Sequence, residues 1–536
     1  MGGCLELAQK QRSKVRPLFS IPIMRNRNIV QCRNSRQSVD ALVIGSGFGG
    51  SITAAHLTEA GVNVALIERG PWRDTQPVRT LGIEERAQLP QGTAFWRNLV
   101  RSVGSPRCGH RTLNARGLFD IYFGQGITIG CSSGVGGGSH VYTALHHRPQ
   151  RTDYWNTLCE GLSEQSMAPH QAAFLRRMGS LPLQAFPRLP TDSGSLNHNL
   201  CPEILTDAAP AFQYLWGVLP PSAELSKDEN ETADMFGRSR STYRNDGILG
   251  SPGGAKTTLD IAYIAPAIKL GLQVYDLCEA LYIAKLGGCQ PRRYLVYVLD
   301  HRTGTVRTLG ADSVFLAAGT LNTLRLLFKS RDRYGGLDGM PVLGQGFHGN
   351  GDSMAWWHRN QPNADYQRGL PAYGGLTERG SSGEIQVIHV GLLGFETLPL
   401  PGFIKSLLRK NVMLVAMGQD RVGGKAHLRR DLLIHYDAAV NPILAQTQAL
   451  FERMSAASRK RVWLLPLCAT VHPLGGARVG RDSQQAVISA RGQVHEHPGL
   501  YICDASAFPT ALGAPPSLSI AAWASHVSAE FIRTPN

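Results

Sequence analysis

Residues 41–69 carry the clearest pattern of apolar and polar positions in the chain. The apolar run ALVI precedes a glycine-rich turn, an amphipathic segment follows the turn, and a second apolar run, VALI, ends at Glu68. Short apolar runs bounded by turn residues are typical of buried parallel strands, and the segment between them has the length of a helix. The pattern therefore predicts a strand, a turn, a helix and a second strand, which together form one βαβ unit.

Similar patterns return further along the chain. Residues 256–283 predict a helix followed by a strand, and residues 313–328 predict a strand, a turn of small residues and a helix. Helical patterns also cover residues 166–178 and 516–527, and strand patterns cover residues 384–391, 412–417 and 432–436. Strands that alternate with helices indicate an α/β fold with a parallel sheet.

The turn of the βαβ unit has the spacing G-x-G-x-x-G. The first glycine permits a tight turn, the second lets a pyrophosphate approach, and the third packs the helix against the strand. The amides at the helix N-terminus then point at the phosphates. Glu68 follows about 20 residues on, where a carboxylate can accept ribose hydroxyls. This setting favours a dinucleotide site over an ordinary βαβ turn. The residues of the turn are Gly45, Ser46, Gly47, Phe48, Gly49 and Gly50.

A second glycine-rich stretch, GVGGGS at 134–139, has almost no side chains. Such a backbone can lie against a flat ring or a phosphate. A flexible linker is the alternative, but the flanking segments IYF, ITI and HVYTAL are rich in β-formers, which a linker rarely has. The stretch is therefore interpreted as a cofactor-contact loop.

His472 is the candidate for chemistry in the last seventy residues. It lies in the turn HPLGG, and histidine suits proton transfer because its unperturbed pKa is near neutrality. A strand that ends at Asp504 and a helix follow it, which predicts a second cofactor contact downstream of the histidine.

Composition changes the picture little. The chain of 536 residues is 43% apolar, enough for a large core and two structural domains. The net charge is +15, but the basic residues are spread along the chain, so we expect no nucleic-acid partner. No metal-ligand spacing and no apolar run of about 20 residues is present, so we expect neither a metal site nor a transmembrane segment. Peripheral membrane contact stays open.

The ten cysteines form no C-x-x-C pair, so we expect reduced thiols and a cytoplasmic protein. Residues 1–38 form an Arg-rich arm without the apolar core of a secretory signal. A disordered arm, a transit-like leader and an early start codon remain three interpretations of this segment.

The ordered set of motifs resembles the glucose-methanol-choline (GMC) flavoprotein oxidoreductases, and most closely their bacterial cholesterol oxidase-like branch. The resembling segments are GSGFGG at 45–50 with Glu68, GVGGGS at 134–139, KTTLDIAYIAPA at 256–267, FLAAGTLNTLRLL at 315–327, GNGD at 349–352, HPLGG at 472–476 and LYICDASAFPTALGAPPSLSIAAWA at 500–524.

The resemblance implies an α/β fold with a Rossmann-like FAD-binding domain that is discontinuous in sequence. Residues 39–150, 255–345 and 465–536 would form it. A second, α+β domain with an antiparallel sheet, from residues 151–254 and 346–464, would form the substrate or cap domain.

FAD is the cofactor that the resemblance implies. Glu68, followed by Arg69, would bind the adenosine ribose, the Gly45–Gly50 turn the pyrophosphate, and Ala280 the adenine. The second glycine stretch would contact the flavin, and the end of the last strand would make a further contact. These flavin-side residues are Gly137, Gly138, Ser139, Tyr142, Asp504 and Ala505.

By the same resemblance, His472 would be the active-site base or hydrogen-bond partner over the flavin, which accepts or orients the hydroxyl proton while the carbinol hydride passes to flavin N5. An acid would also reach in from the cap; Glu396 is the nearest candidate, and a surface glutamate is the alternative interpretation of that residue. One position departs from the family: where an asparagine or histidine usually helps to hold the substrate oxygen, this chain has Pro515. Ser517 or a water would then do that work, or the substrate would differ.

The resemblance implies an alcohol oxidase or dehydrogenase that acts on a bulky, mostly apolar alcohol such as a sterol. The electron acceptor would be oxygen, a quinone or a cytochrome. A flavin-binding protein with impaired redox catalysis, motivated by Pro515, and a nicotinamide-only dehydrogenase are the rival interpretations.

Overall fold

The computed structural model describes residues 37–186, 215–221, 234–287, 292–359, 365–465 and 468–534. Of the predicted basic arm, residues 1–36 lie outside these ranges. In the described residues the strands are, in chain order, β1 Gln37–Ile44, β2 Val64–Ile67, β3 Val100–Ser105, β4 Gly109–Thr112, β5 Phe119–Phe123, β6 Thr128–Ser132, β7 Leu145–His146, β8 Leu181–Pro182, β9 Leu215–Trp216, β10 Gln273–Tyr275, β11 Cys278–Lys285, β12 Tyr294–Asp300, β13 Thr305–Leu316, β14 Gln345–Phe347, β15 Ser353–His358, β16 Ala372–Gly380, β17 Gly383–Val390, β18 Asn411–Gly418, β19 Gly424–Leu428, β20 Leu432–His435, β21 Val462–Leu464, β22 Ala469–Thr470 and β23 Leu500–Ile502.

The α-helices of the same ranges are α1 Phe48–Glu59, α2 Gln76–Thr80, α3 Phe95–Asn98, α4 Glu164–Arg177, α5 Ala265–Lys269, α6 Thr320–Phe328, α7 Gly402–Arg409, α8 Pro442–Ser458 and α9 Ser517–Arg533. Within the described ranges, no helix combines the length and the apolar character needed to cross a membrane.

A seven-stranded sheet organises the nucleotide-binding part. Its strand order is β10-β2-β1-β13-β12-β11, and β23 pairs with β13 on the side opposite β1. β10, β2, β1, β13 and β23 run parallel, while β11, β12 and β13 form an antiparallel extension. The fold is therefore α/β, as predicted.

The strands predicted from apolar runs are buried on both faces. Ala41, Leu42 and Val43 are fully buried, and all four residues of β2 are buried too. α1 covers this sheet and packs against α9. In register, Ile44 lies beside Ile67 and Leu316, so the carboxyl ends of β1, β2 and β13 meet at one edge. In such sheets that edge is where ligands bind.

The antiparallel sheet expected in the cap is present. It has the order β16-β17-β18-β15-β21, and a second hydrophobic core packs around it. The strands predicted at 384–391, 412–417 and 432–436 correspond to β17, β18 and β20. The predicted boundaries between the two domains stay a prediction.

One local prediction was wrong. HVYTAL is not a strand: residues Gly137–His140 form a 3-10 turn, and only Leu145–His146 pair as β7. The carbonyls of His140 and Tyr142 accept hydrogen bonds from the Lys256 ammonium, so they are not free for a strand ladder. The helix and the strand predicted for residues 256–283 are present: a π-helical turn at Asp260–Ile264 continues into α5, and β10 and β11 follow.

Candidate active site

A cavity of about 490 Å³ lies at the carboxyl ends of the parallel strands. Its walls come from the segments that follow β1, β2, β13 and β23, and from the cap sheet. Most of the sequence-predicted site residues line it. These are Gly45, Ser46, Gly47, Phe48, Gly49, Glu68, Arg69, Gly137, Gly138, Tyr142, Ala280, His472, Asp504, Ala505, Pro515 and Ser517.

The glycine turn leaves space on one side only. A Cβ on Gly50 would lie 1.7 Å from the Gly45 carbonyl oxygen, and a Cβ on Gly45 would lie 2.4 Å from the Ala317 carbonyl oxygen. Gly45 also has a φ of +96°, which favours glycine. A Cβ on Gly47, which caps the N-terminus of α1, would meet no protein atom within 4 Å. Two glycines therefore close the turn, and the third opens it toward the cavity.

The Glu68 carboxylate joins the first glycine turn to the second glycine stretch. It accepts hydrogen bonds from the Ser46 amide at 3.0 Å, the Gly70 amide at 2.9 Å and the Gly134 amide at 3.3 Å. The Ser46 hydroxyl has one proton and two acceptors, Glu68 at 2.8 Å and the Gly134 carbonyl at 3.1 Å. When a ribose hydroxyl donates to Glu68, the serine proton can therefore turn to Gly134.

Arg69 starts an ion network at the same end of the cavity. Its guanidinium donates to Asp120 at 2.6 Å, to Ser133 at 2.9 Å and to Asn322 at 3.0 Å. Asp120 also pairs with the fully buried Arg101 at 3.3 Å. Burial alone would raise the pKa of Asp120, but the two guanidinium groups lower it to about 2. The network thus holds Arg69 rigidly beside Glu68.

The second glycine stretch packs on the first. A Cβ on Gly137 would lie 2.5 Å from the Cα of Gly47. Ser139 is buried and does not line the cavity; its hydroxyl donates to the Gly136 carbonyl at 2.7 Å and accepts from the Leu259 amide at 3.0 Å. Ser139 therefore shapes the loop from behind.

Lys256 is a site residue whose role the sequence did not reveal. Its fully buried ammonium donates to the carbonyls of His140 at 2.8 Å, Tyr142 at 3.0 Å and Gly247 at 2.6 Å. Burial lowers the pKa of Lys256 to about 7, against the opposing charge of Asp246. The lysine pins the cofactor-contact loop to the cap, and its only sequence signal was its place in the KTTLD motif.

Asp504 connects the end of β23 to the start of α6. Its carboxylate accepts from the Gly319 amide at 2.9 Å, from the Thr323 hydroxyl, and from the Ser506 amide and hydroxyl at 3.0 and 2.6 Å. Burial raises the pKa of Asp504, although these hydrogen bonds favour the charged form. Ala505 follows it at the cavity wall.

His472 faces the cavity beside a buried carboxylate. Its Nδ1 lies 3.0 Å from the side chain of Asp352, whose exposed fraction is 2%. Asp352 also accepts from the Thr470 hydroxyl at 2.8 Å and the Val471 amide at 3.0 Å. Among the described residues, Nε2 of His472 has no hydrogen-bond partner. Sequence reasoning did not identify Asp352 as functional, because only its GNGD motif marked it.

The cap sheet gives the cavity an apolar floor next to His472. Met354 of β15 pairs with Val415 of β18, and Val415 pairs with Ile388 of β17, so the three side chains share one face. Met413 and Val390 form the next row of that face. All five line the cavity. This wall offers a substrate no charge and no hydrogen bond.

Three predicted residues need separate comment. Pro515 lines the cavity and can donate no hydrogen bond, and the Ser517 hydroxyl donates to the Leu145 carbonyl at 3.2 Å. Glu396 is not a wall residue: its side chain is 47% exposed and pairs with Arg409. Its assignment as an acid therefore has no geometric support, while its catalytic role remains an untested prediction.

The residues present fit FAD. The open face of Gly47 and the bare loop at Gly137 and Gly138 leave room for a pyrophosphate and a ring, and Glu68 offers a carboxylate for ribose hydroxyls. Ala280, on β11, also lines the cavity.

The chain resembles known flavoenzymes. A model described as "GMC oxidoreductase" matches residues 436–524, and one described as "FAD binding domain" matches residues 38–88. A cholesterol oxidase of Mycobacterium tuberculosis (strain CDC 1551 / Oshkosh) is 27% identical over 90% of this chain and 89% of its own length. A cholesterol oxidase of Acinetobacter baumannii is 23% identical over 90% of this chain and 93% of its own length. A fungal aryl-alcohol oxidase structure matches 93% of this chain and 99% of its own, with 13% identity and a TM-score of 0.57.

Proposed function

The chain belongs to the GMC oxidoreductase family and is an FAD-dependent oxidoreductase of alcohols, and on this premise we propose that its substrate is a bulky, mostly apolar alcohol, sterol-like in size, whose hydroxyl proton is taken by His472. The observation that carries the proposal is that the apolar floor of the cap sheet and His472 line the same cavity. The electron acceptor is oxygen, a quinone or a cytochrome.

The choice of an apolar donor is supported by the wall that it would touch. Met354, Ile388 and Val415 share one face, and no charged side chain lies among them in register. Burying apolar surface is favourable by about 0.8 kcal/mol per CH₂ group, so each added ring or chain of the substrate contributes to binding. A sugar or a charged alcohol would lose its hydration there without compensating hydrogen bonds.

The role of His472 is supported by its partners. A carboxylate only accepts hydrogen bonds, so Asp352 requires the hydrogen on Nδ1 and leaves the Nε2 lone pair for the substrate hydroxyl. FAD, when bound, supplies the hydride acceptor of the alcohol oxidation. The cavity walls orient the carbinol carbon, and the histidine removes the hydroxyl proton.

The test is the visible flavin spectrum of the purified holoprotein, mixed anaerobically with cholesterol and then with aliphatic and sugar alcohols. We expect cholesterol or another apolar alcohol to bleach the spectrum and sugars to leave it unchanged. Admitting air, or adding a quinone or cytochrome c, then identifies the acceptor by the return of the colour. A yellow spectrum that no alcohol changes would overturn the proposal and favour a flavin-binding protein without this redox activity.

His472→Gln tests the base in the same assay. We expect the bleaching rate to fall by about 10²–10⁴-fold, the usual contribution of a general base, with the FAD content unchanged. His435→Gln, at an exposed histidine of β20, is the matched control and should bleach at the wild-type rate. Equal rates in the two variants would exclude His472 as the base.

A further inference from the structure

We propose that the turn Gly349–Asp352 is a positioning device for the reaction, in which Asp352 fixes the ring of His472 and Asn350 fixes the loop that carries Pro515. The inference rests on the proposed function for its kinetic consequence only. The structural observation behind it is that one short turn is hydrogen-bonded to His472 on one side of the cavity and to the segment before Pro515 on the other.

Asp352 and Thr470 bracket the histidine from two directions. Asp352 accepts from Nδ1 of His472, and the Thr470 hydroxyl accepts from the His472 amide at 2.8 Å. The same hydroxyl donates to Asp352 at 2.8 Å or to the Gly349 carbonyl at 3.0 Å. Backbone and ring of the histidine are therefore tied to one carboxylate, which sets both the orientation of the ring and its tautomer.

Both polar atoms of the Asn350 side chain bond to the segment before Pro515, on the other wall of the cavity. Its carbonyl oxygen accepts from the amides of Leu512 and Gly513, each at 3.0 Å, and its amide nitrogen donates to the Ala514 carbonyl at 3.0 Å. Asn350 is fully buried. The segment that it holds leads directly into Pro515 and Pro516, both of which line the cavity.

Contacts with Asp420 and Gly418 hold the turn Gly349–Asp352 in place. The Gly349 amide donates to Asp420 at 2.8 Å, and the Tyr436 hydroxyl donates to the same carboxylate oxygen at 2.8 Å. A Cβ on Gly351 would lie 2.6 Å from the Gly418 carbonyl oxygen. The turn therefore has little freedom to move, and it transmits a fixed geometry to both walls.

This arrangement explains how the site functions with a proline at position 515. Pro515 lines the cavity but has no hydrogen-bond donor to help hold the substrate oxygen, so His472 has to be placed accurately without such help. Asp352 supplies that placement, and its negative charge stabilises the histidine after it has taken the proton. Asp352 and Asn350 are thus positioning residues, since neither lines the cavity.

The test of Asp352 compares Asp352→Asn and Asp352→Glu in the holoprotein labelled with ¹⁵N-histidine. Wild type should show the His472 ring as the Nδ1–H tautomer, with its signal assigned by its loss in His472→Gln. In Asp352→Asn we expect the tautomer to change, since an amide can donate to Nδ1, and kcat to fall at least about 10–100-fold with KM little changed. Asp352→Glu should restore the tautomer and part of kcat.

An unchanged tautomer and unchanged kcat in Asp352→Asn would overturn the proposal for this residue. So would loss of FAD or of the native fold in both variants, because the carboxylate would then serve folding. If wild type oxidises no alcohol, the proposed function fails, but the tautomer measurement still decides whether Asp352 positions His472.

Asn350 is tested with Asn350→Gly, because its φ of +59° would strain an alanine but not a glycine. We expect KM for an apolar alcohol to rise about tenfold as the Leu512–Ala514 loop loses three hydrogen bonds. A tenfold change corresponds to about 1.4 kcal/mol, which is the net contribution of about one such bond. The His472 tautomer should stay as in wild type. An unchanged KM, or a changed tautomer, would contradict the separate role given to Asn350.

Discussion

At the scale of the residue, Gly47 and Gly50 show how two glycines of one motif serve different purposes. A side chain at Gly50 would collide with the Gly45 carbonyl, whereas a side chain at Gly47 would project into space that no protein atom fills. Gly50 has to be glycine for the fold itself, whereas Gly47 has to be glycine to leave room for what the protein binds. Substitution separates the two requirements.

We predict that Gly50→Ala lowers the thermal midpoint of the FAD-free protein, since relieving a contact of 1.7 Å means moving α1, at about 1–3 kcal/mol or more. Gly47→Ala should leave that midpoint nearly unchanged and weaken FAD binding at least tenfold. Calorimetry of the stripped protein and FAD titration by fluorescence measure both. Equal midpoints together with equal affinities in the two variants would contradict this division.

Asp120 gives a prediction about pH. Its folded pKa, about 2, lies below its ordinary value of 3.8, so it adds stability above about pH 4 that is lost as the pH falls toward 2. The shift corresponds to about 2 kcal/mol. In urea unfolding between pH 5 and pH 2.5, Asp120→Asn should therefore lose less stability on acidification than wild type. Glu84→Gln, at an exposed carboxylate, should follow wild type.

At the scale of the element, the sequence was most informative where chain neighbours decide the structure. ALVI and VALI became β1 and β2, and the small-residue turn at 317–319 separates β13 from α6 as expected. Glu68 was found because its distance along the chain from the glycine turn is diagnostic. In each of these cases the pattern and the contact lie within one βαβ unit.

The remaining features depend on contacts between distant segments. HVYTAL has the composition of a strand, but the carbonyls of His140 and Tyr142 within it accept hydrogen bonds from Lys256. No local sequence pattern predicts that this lysine is buried. Asp352 lies 120 positions before His472, so the pair is formed only by the fold. The roles assigned to the site residues stay predictions, including those of the residues that line the cavity.

Lys256 provides the prediction at this scale. Lys256→Met would leave the carbonyls of His140, Tyr142 and Gly247 without this donor, and would remove one of the two cations, Lys256 and Arg238, whose charge acts on Asp246. We expect the free energy of unfolding to fall by about 3 kcal/mol or more, because leaving a buried carbonyl without its donor costs about 1–3 kcal/mol, and we expect FAD to dissociate more easily. Lys269→Met, at an exposed lysine, is the control in chemical denaturation. A loss as small as in the control would contradict the anchoring role.

At the scale of the whole molecule, α7 stands out because none of its residues is buried. Phe403 is 74% exposed and Leu407 54%, with Lys405, Arg409 and Lys410 beside them. Under this helix, an apolar cluster reaches from Leu408 to two residues of the cavity wall, Phe119 and Ile248. An apolar face flanked by cations is typical of a surface that touches anionic lipid.

Peripheral membrane contact, left open by the sequence, therefore becomes a testable prediction. The double variant Phe403→Ser and Leu407→Ser should bind phosphatidylglycerol-containing vesicles at least tenfold more weakly than wild type in co-sedimentation. Val306→Ser, at an exposed position of β13, should bind like wild type. Wild-type protein that stays in the supernatant would contradict the prediction, and it would leave the proposal on the substrate untouched.

The order of strands in the main sheet has a consequence for how the protein is made. β13 lies between β1 and β23, and Asp504, just after β23, bonds to the Gly319 amide before α6. A ribosome releases β1 and α1 long before β23 and α9, so during synthesis the face of α1 that packs on α9 waits uncovered. Until then the cofactor site lacks one of its walls. We therefore expect a chain to retain FAD only after β23 and α9 have been made, so that cofactor binding is a late event in synthesis.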